Sequence, residues 1–447
     1  MPHIAYLLIG DPNPTRALAW AEELGAGGYR CITATDPHSL IALTESQQPD
    51  VVLIGDYSAP VDSLSIAQAL KEADATNQIP VVLLDASANA TLMTGAREIG
   101  IDDVFVKGES LDEVVVRLPR LTRSSIMSAE LRRRVATAAE FGVAVDPRTY
   151  RRGYPERPLV MTVARDQAVR ERMAQTLNED GLDSTVEESP FKAADGLDDG
   201  RYDAAVISIG PKDDFGPAQY MCGHIRNNPR LFNLPTLVLQ ETTGNGGDNA
   251  LYRGGAAIVL SSPTAHEHMA TYIHMLIARQ RLRWTMRDPF KATLARLTAD
   301  KTGKCYSRAF WDRHSETLVR TANERSSSLA VGYITSPTLA RVRDEYGDDS
   351  AEILAHQLAD WITGMTRIED LVARVDKDSF GILLPGTPEK EANRVVQRIV
   401  GILHRSEFHL GEEVMKSIST LADAGTSGIQ KSDTHEDMLE RARKAAI

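Results

Sequence analysis

The chain has 447 residues, 42% hydrophobic and 25% charged, enough for about three domains with cores of their own, so a peptide-sized or disordered molecule is excluded. Acidic residues outnumber basic ones 62 to 50, giving a net charge of -12. That balance excludes bulk nucleic-acid binding and requires any anionic ligand to be met by local arginines. Cys31, Cys222 and Cys305 are widely spaced and form neither a disulfide framework nor a CxxC metal site, as expected of a reducing cytoplasm. No apolar run approaches the roughly 20 residues of a membrane helix, so no membrane insertion is expected. The opening MPHIAYLLIG reads as a first strand and not as a signal peptide.

In chain order, IAYLLIG, TRALAWAEEL, DVVLIGD, SLSIAQALKEA, PVVLLDA, ATLMTGAREIG and DDVFVKG alternate strand and helix patterns. This predicts a doubly wound parallel sheet over residues 1–123. Residues 124–157 read as a helix, SAELRRRVATAAEF, and a Pro/Gly/Arg-rich linker. The rhythm restarts with LVMTVA, AVRERMAQTL, YDAAVISIG, LPTLVLQ and AAIVLSS, so 158–287 is expected to repeat the first fold. A long helical pattern follows, with a kink or restart expected at Pro289. Residues 288–447 mix helices with a hairpin, LVARV-DKD-SFGILLP, and late strands, which predicts an α+β domain. The fold class is therefore α/β plus α+β. Trp284, Met286, Phe310, Trp311 and Trp361 are expected in cores or helix seams, and TTGNGGDN is expected to be a turn because no Lys-Ser/Thr follows it.

Ligands of doubly wound sheets sit at the carboxyl ends of the strands. In the first domain these ends carry Asp11, Asp56 (followed by Pro60), Asp85 and Lys107. This resembles the receiver domain of bacterial two-component signalling. The resemblance makes Asp56 the candidate phosphoacceptor, Asp11 with Asp56 a candidate Mg²⁺ site, and Lys107 the partner of an acyl phosphate. The pattern departs at Gly10 (an acid in the family), Asp85 (a hydroxyl) and Gly108 (a Pro), which favours a docking platform over phosphotransfer. The repeat ends its strands with Ala164-Arg165, Ser208 and Ser262-Pro263, so it is expected to keep the fold without the chemistry.

Receiver, degenerate receiver, long helix and α+β domain resemble the PleD-type diguanylate cyclases, whose last domain is named for its GGDEF signature. Here the turn reads Asp376-Lys377-Asp378-Ser379-Phe380. Both glycines and the second acid are absent. Thr335 stands where the family has a metal-binding Asp, Arg343 where it has a guanine-reading Asn, and Glu352 at the second guanine contact. The resemblance therefore implies a degenerate domain with no catalytic residues and no resident cofactor.

Arg367-Ile368-Glu369-Asp370 matches the family's RxxD product site, six residues ahead of the turn, and implies cyclic di-GMP as ligand. A spacing of three is expected to set Arg367 and Asp370 on one face of a helical end, at the surface. Arg394 and Arg398 match secondary arginines of that site, and Arg172 an arginine from the neighbouring domain. The competing reading is a set of solvated surface charges. Further implications are a homodimer, a cytoplasmic location that extends to a cell pole, and protein partners that include proteolysis-adaptor and cell-pole factors. The rival functions are a residual cyclase using Asp376 and Asp378, and a GTP-binding domain without turnover.

Overall fold

The computed structural model describes residues 2–58, 60–85, 89–106, 112–150, 157–228, 230–240, 248–261, 265–411 and 416–446. The first sheet comprises β1 (Tyr6–Gly10), β2 (Arg30–Ala34), β3 (Val51–Ile54), β4 (Val81–Asp85) and β5 (Asp103–Val106), ordered β2-β1-β3-β4-β5 with every pair parallel. Its connections are α1 (Pro14–Ala26), α2 (Pro37–Gln47), α3 (Ser63–Glu72) and α4 (Ala90–Ile99), and it ends in α5 (Asp112–Glu140). β1 and β3 are buried along their whole length because helices cover both faces, which is why they read as continuous apolar runs. Asn13 starts α1 by accepting from the amides of Thr15 and Arg16, with Pro14 preset for the first turn.

The second unit repeats the plan with β6 (Leu159–Val163), β7 (Asp183–Glu187), β8 (Ala204–Ile209), β9 (Thr236–Gln240) and β10 (Ile258–Ser261). Its order β10-β9-β8-β6-β7, read from the other edge, is that of the first sheet. The helices are α6 (Gln167–Glu179), α7 (Pro190–Asp199), α8 (Gly216–Asn227) and α9 (Asp248–Gly254), followed by α10 (Met269–Thr293).

The third unit contains α11 (Arg308–Arg325), β11 (Leu329–Thr335), α12 (Pro337–Met365), β12 (Leu371–Asp376), β13 (Ser379–Pro385), α13 (Glu389–Leu403), β14 (Glu407–His409), β15 (Ser417–Ser419), β16 (Asp423–Gly428) and α14 (His435–Lys444). Its main sheet, β12-β13-β11-β16, is antiparallel throughout. α12 is broken at Gly347, whose φ of 87° a side chain would disfavour. The two doubly wound parallel sheets followed by an α+β unit, anticipated from the strand and helix rhythm, are the architecture observed.

Two long helices join the units. α5 continues across position 123 without interruption, and α10 runs through Pro289 instead of breaking there. The lost amide donor at Pro289 is tolerated because Met286 and Phe290 on either side are buried with Met127 and Leu131 of α5. Receiver one also touches the third unit directly: His3 donates to the Ser326 carbonyl at 3.0 Å and accepts from the Ser328 amide at 2.8 Å. Among the described residues no helix is long and apolar enough to cross a membrane.

Candidate functional site

Three places were marked by the sequence, and the structure treats their acids differently. In the first sheet, Asp11 leaves β1 fully buried. Arg16, one turn into α1, forks onto it through Nε at 2.6 Å and the terminal nitrogen at 2.6 Å, while the Asn13 amide donates at 2.8 Å. Gly55 is required beside it, since a Cβ there would lie 2.3 Å from Asp11 Oδ2. Asp56 is exposed at the end of β3, and its loop is held by Ser63 Oγ, which donates to the Gly55 carbonyl at 2.7 Å and accepts from the Tyr57 amide at 2.9 Å. Lys107, Gly108, the Asp85 side chain, Ser262, Pro263 and the glycines of TTGNGGDN lie outside the described residues. Asp11 and Asp56 do not fit the expected Mg²⁺ site, because Arg16 already supplies the positive charge an ion would bring to Asp11. Among the described residues no cluster of three or more metal-ligating side chains forms.

The hairpin turn of the third unit repeats this device. Asp376 pairs with Ser379 across Lys377-Asp378. The Asp378 carboxylate is gripped by Arg343 at 2.6 and 3.3 Å, and this hydrogen bonding raises the Arg343 pKa further. Beside it runs a chain of neutral hydroxyls: Tyr333 donates to Ser379 Oγ at 2.7 Å and Ser379 to Thr335 Oγ1 at 3.0 Å. Glu352 is held by Arg374 at 2.7 and 2.9 Å, and Arg374 also donates to the Lys377 carbonyl. Asp378 and Glu352 are thus each held by an arginine of the chain.

The RxxD segment departs from expectation. Residues 367–370 form a turn leading into β12, not a helical end; the Asp370 amide donates to the Arg367 carbonyl at 3.1 Å. Arg367 is exposed as anticipated, but Asp370 is buried, at 6% exposure, and accepts from the Arg367 amide through Oδ2 at 2.9 Å. Its Oδ1 is buried with no hydrogen-bond partner among the described residues. Burial, then the neighbouring negative charge of Glu369, pushes its pKa up to about 7. The burial follows from packing that a local pattern does not contain. α5 crosses the turn, and Arg134 donates to the carbonyls of Ile368 at 3.2 Å, Glu369 at 2.6 Å and Asp370 at 3.4 Å. Arg123, three helical turns earlier on α5, pairs with the buried Glu369 at 2.7 Å.

Arg134 is itself fixed by Glu130 at 2.8 Å, and Glu130 also accepts from His314 Nε2 of α11 at 2.8 Å. Thr137 donates to the Arg133 carbonyl, and its hydroxyl also lies in hydrogen-bond contact with His314 Nδ1 at 3.0 Å. Burial, the largest influence, would raise the Glu130 pKa, but His314 and Arg134 beside it hold it down at about 2.

Arg398 on α13 donates to the Met365 carbonyl at 3.1 Å, beside the turn; Arg394, one helical turn before it, is exposed. Arg172 is exposed on α6 and lines a cleft with Thr176, Pro211, His266, Glu267 and Met269 of its own unit. The structure thus gathers Arg367, Asp370 and Arg398 and leaves Arg172 outside that group. Sequence reasoning missed Arg16, Arg123, Arg134 and Glu369. The one available signal was the spacing of Arg123 and Arg134, which sets them on one face of α5.

Comparison with known proteins agrees with this anatomy. Residues 297–447 match the family described as diguanylate cyclase, GGDEF domain. The chain is 24% identical over 442 residues to the response regulator PleD of Caulobacter vibrioides, covering 98% of this chain and 95% of that one. Over 118 residues it is 30% identical to the phosphate regulon transcriptional regulatory protein PhoB of Pseudomonas aeruginosa, covering 26% of this chain and 51% of that protein. A crystal structure of the GGDEF domain of DgcB from Caulobacter crescentus in complex with c-di-GMP matches at 13% identity and a TM-score of 0.32, over 34% of this chain and 86% of that one.

Proposed function

We propose that this receiver-receiver-GGDEF chain is a cyclic di-GMP effector that does not make the nucleotide. The observation that carries the first half is the Arg343–Asp378 ion pair: the acid that survives in the turn is neutralised from within, next to hydroxyls at Thr335 and Ser379. A divalent ion bound there would have to displace a guanidinium that pairs with Asp348 as well as Asp378. The RxxD turn supports the second half. Arg367 presents an exposed planar fork suited to a guanine edge or a phosphate, with Arg398 beside it and Arg394 on the same helix. Asp370 Oδ1 has acceptor capacity that no group among the described residues uses, and guanine N1–H and N2–H are donors that would use it.

In this reading the unit divisions at 123, 157 and 287 separate a docking receiver, a linker, a second receiver and the effector domain. Asp56 is the candidate phosphoacceptor of a receiver that serves chiefly for docking, and Arg172 meets the ligand only through a second copy or a changed domain arrangement. The individual protein with this anatomy that the chain resembles is PopA, a degenerate receiver-receiver-GGDEF protein of alphaproteobacterial cell-cycle control. The resemblance carries with it a cytoplasmic, pole-directed homodimer that recruits factors for regulated proteolysis.

The test is calorimetric titration of the full chain with cyclic di-GMP and with GTP and Mg²⁺, beside a synthesis assay. Saturable binding of cyclic di-GMP with no synthesis supports the proposal. Mg²⁺-dependent synthesis would restore the alternative of a residual cyclase, and GTP binding without synthesis that of a nucleotide-binding domain without turnover.

A further inference from the structure

A second concentration of positive charge lies away from the RxxD turn, where the first unit meets the third. A cleft of about 410 Å³ opens between the loop before β3, the middle of α5 and the end of α11. Arg132 and Arg133 enter it from α5 and Arg325 from the last turn of α11, with Ser125, Gln48 and Gln78 beside them. Arg325 donates to the Gln48 carbonyl at 3.2 Å, so the cleft is bridged by residues of both units. Its acids are Asp50 and Asp74. Asp50 is already bonded to the Tyr6 amide at 2.8 Å, and Glu130, the other acid close to Arg133, is committed to Arg134 and His314. Among the described residues the Arg132 and Arg133 guanidiniums make no hydrogen bond or ion pair. Burial first, and then neighbouring arginines, lower the pKa of Arg132; burial lowers that of Arg133 against the opposing influence of Glu130 and Asp50, with Arg325 adding to the lowering.

A chain of net charge -12 gains nothing in solubility from pressing three guanidiniums together at a domain seam. Their forks match phosphate oxygens, and hydroxyl and amide groups stand beside them as further donors. The cleft lies within the roughly 300 to 1,000 Å³ typical of small-molecule sites. We infer that it binds a phosphate-bearing small anion, and that the bound anion ties the first receiver unit to the GGDEF unit by neutralising arginines from both. This site is independent of the RxxD turn.

The test uses the full chain and inorganic pyrophosphate as probe, by calorimetry at constant ionic strength. Saturable binding is expected, weakened at least about tenfold in Arg132→Gln/Arg133→Gln and, separately, in Arg325→Gln, from the loss of charged hydrogen bonds. Circular dichroism checks that each variant is folded; if one is not, the other decides. Arg367→Ala should bind pyrophosphate like the parent. No heat with pyrophosphate, unchanged affinity in the folded cleft variants, or loss of binding in Arg367→Ala would each overturn the inference. Parallel titrations with GTP and with inorganic phosphate distinguish a nucleotide from a free anion as the source of the phosphate, and tighter binding of either supports it.

Discussion

The strand-end site of the first receiver and the hairpin turn of the GGDEF unit have met the same problem in the same way, and the RxxD turn has not. Asp11 is gripped by Arg16 and Asp378 by Arg343, each through two nitrogens. In both places a guanidinium from the chain stands where the relevant chemistry calls for a cation from solution. Asp370 instead keeps a buried oxygen with no hydrogen-bond partner among the described residues, and its basicity is raised. An acid whose charge is answered internally has no remaining attraction for a metal, while an acid left unanswered inside a protein is destabilising and gains from any ligand with donors. Under the proposed function, the contrast is between acids withdrawn from metal chemistry and one kept for a ligand.

The largest effect should come from the support of the turn. Arg134 and Glu130 are both buried, at 2% and 0% exposure, so Arg134→Met leaves Glu130 with His314 alone and strips a donor from three carbonyls. Denaturant unfolding should record a loss of about 3 to 5 kcal/mol, the usual cost of breaking a buried ion pair by removing one partner. A loss below about 1 kcal/mol would mean that α5 does not clamp the turn as described.

Next in size is the ligand contact itself. Arg367→Ala should leave stability nearly unchanged, because the side chain is exposed, and weaken cyclic di-GMP by roughly one to two decades, equivalent to about 1.5 to 3 kcal/mol. Parent-like affinity in calorimetry would move the site elsewhere and remove one side of the comparison.

A subtler break concerns protonation. The folded pKa of Asp370, about 7, lies above the ordinary value of 3.8, so the folded chain keeps a proton that the unfolded chain has released. The associated stabilisation is full below about pH 4 and drains away as pH rises toward about 7. Only the ionised carboxylate offers both oxygens to guanine donors, so cyclic di-GMP should bind about tenfold more tightly at pH 8 than at pH 6. Asp370→Asn should flatten both the stability and the binding profiles. A parent with no pH dependence of binding would show that Asp370 does not meet the ligand in its ionised form.

The smallest effect should follow from freeing the retired acids. Arg343→Asn releases Asp378 yet should give no synthesis of cyclic di-GMP, since Thr335 and Ser379 still offer hydroxyls where carboxylates are needed. Appearance of product in a nucleotide assay would mean that Arg343 alone had been holding an otherwise competent pocket shut.

The sequence by itself determined the layer order and which side chains stand at the strand ends and turns. Period-two and period-3.6 patterning with turn residues between them fixes strand and helix locally, and the parallel strands are legible because burial on both faces makes them uniformly apolar. Departures from the resembled family's pattern at the turn are likewise legible, since the type of a side chain needs no geometry to establish. Tertiary structure alone decided what became of the groups that remain. Arg16 and Asp11 are close in sequence, but Arg343 and Asp378 meet only because α12 packs beside the β12–β13 hairpin, and Asp370 is buried only because α5, more than two hundred residues earlier, crosses the turn with Arg123 and Arg134. The continuation of α10 through Pro289 has the same origin: local propensity argues for a break, and the apolar surface buried against α5 outweighs one missing hydrogen bond. Pairing and burial are properties of neighbours distant along the chain, so a local pattern specifies which side chains carry charge and the fold specifies whether that charge is answered.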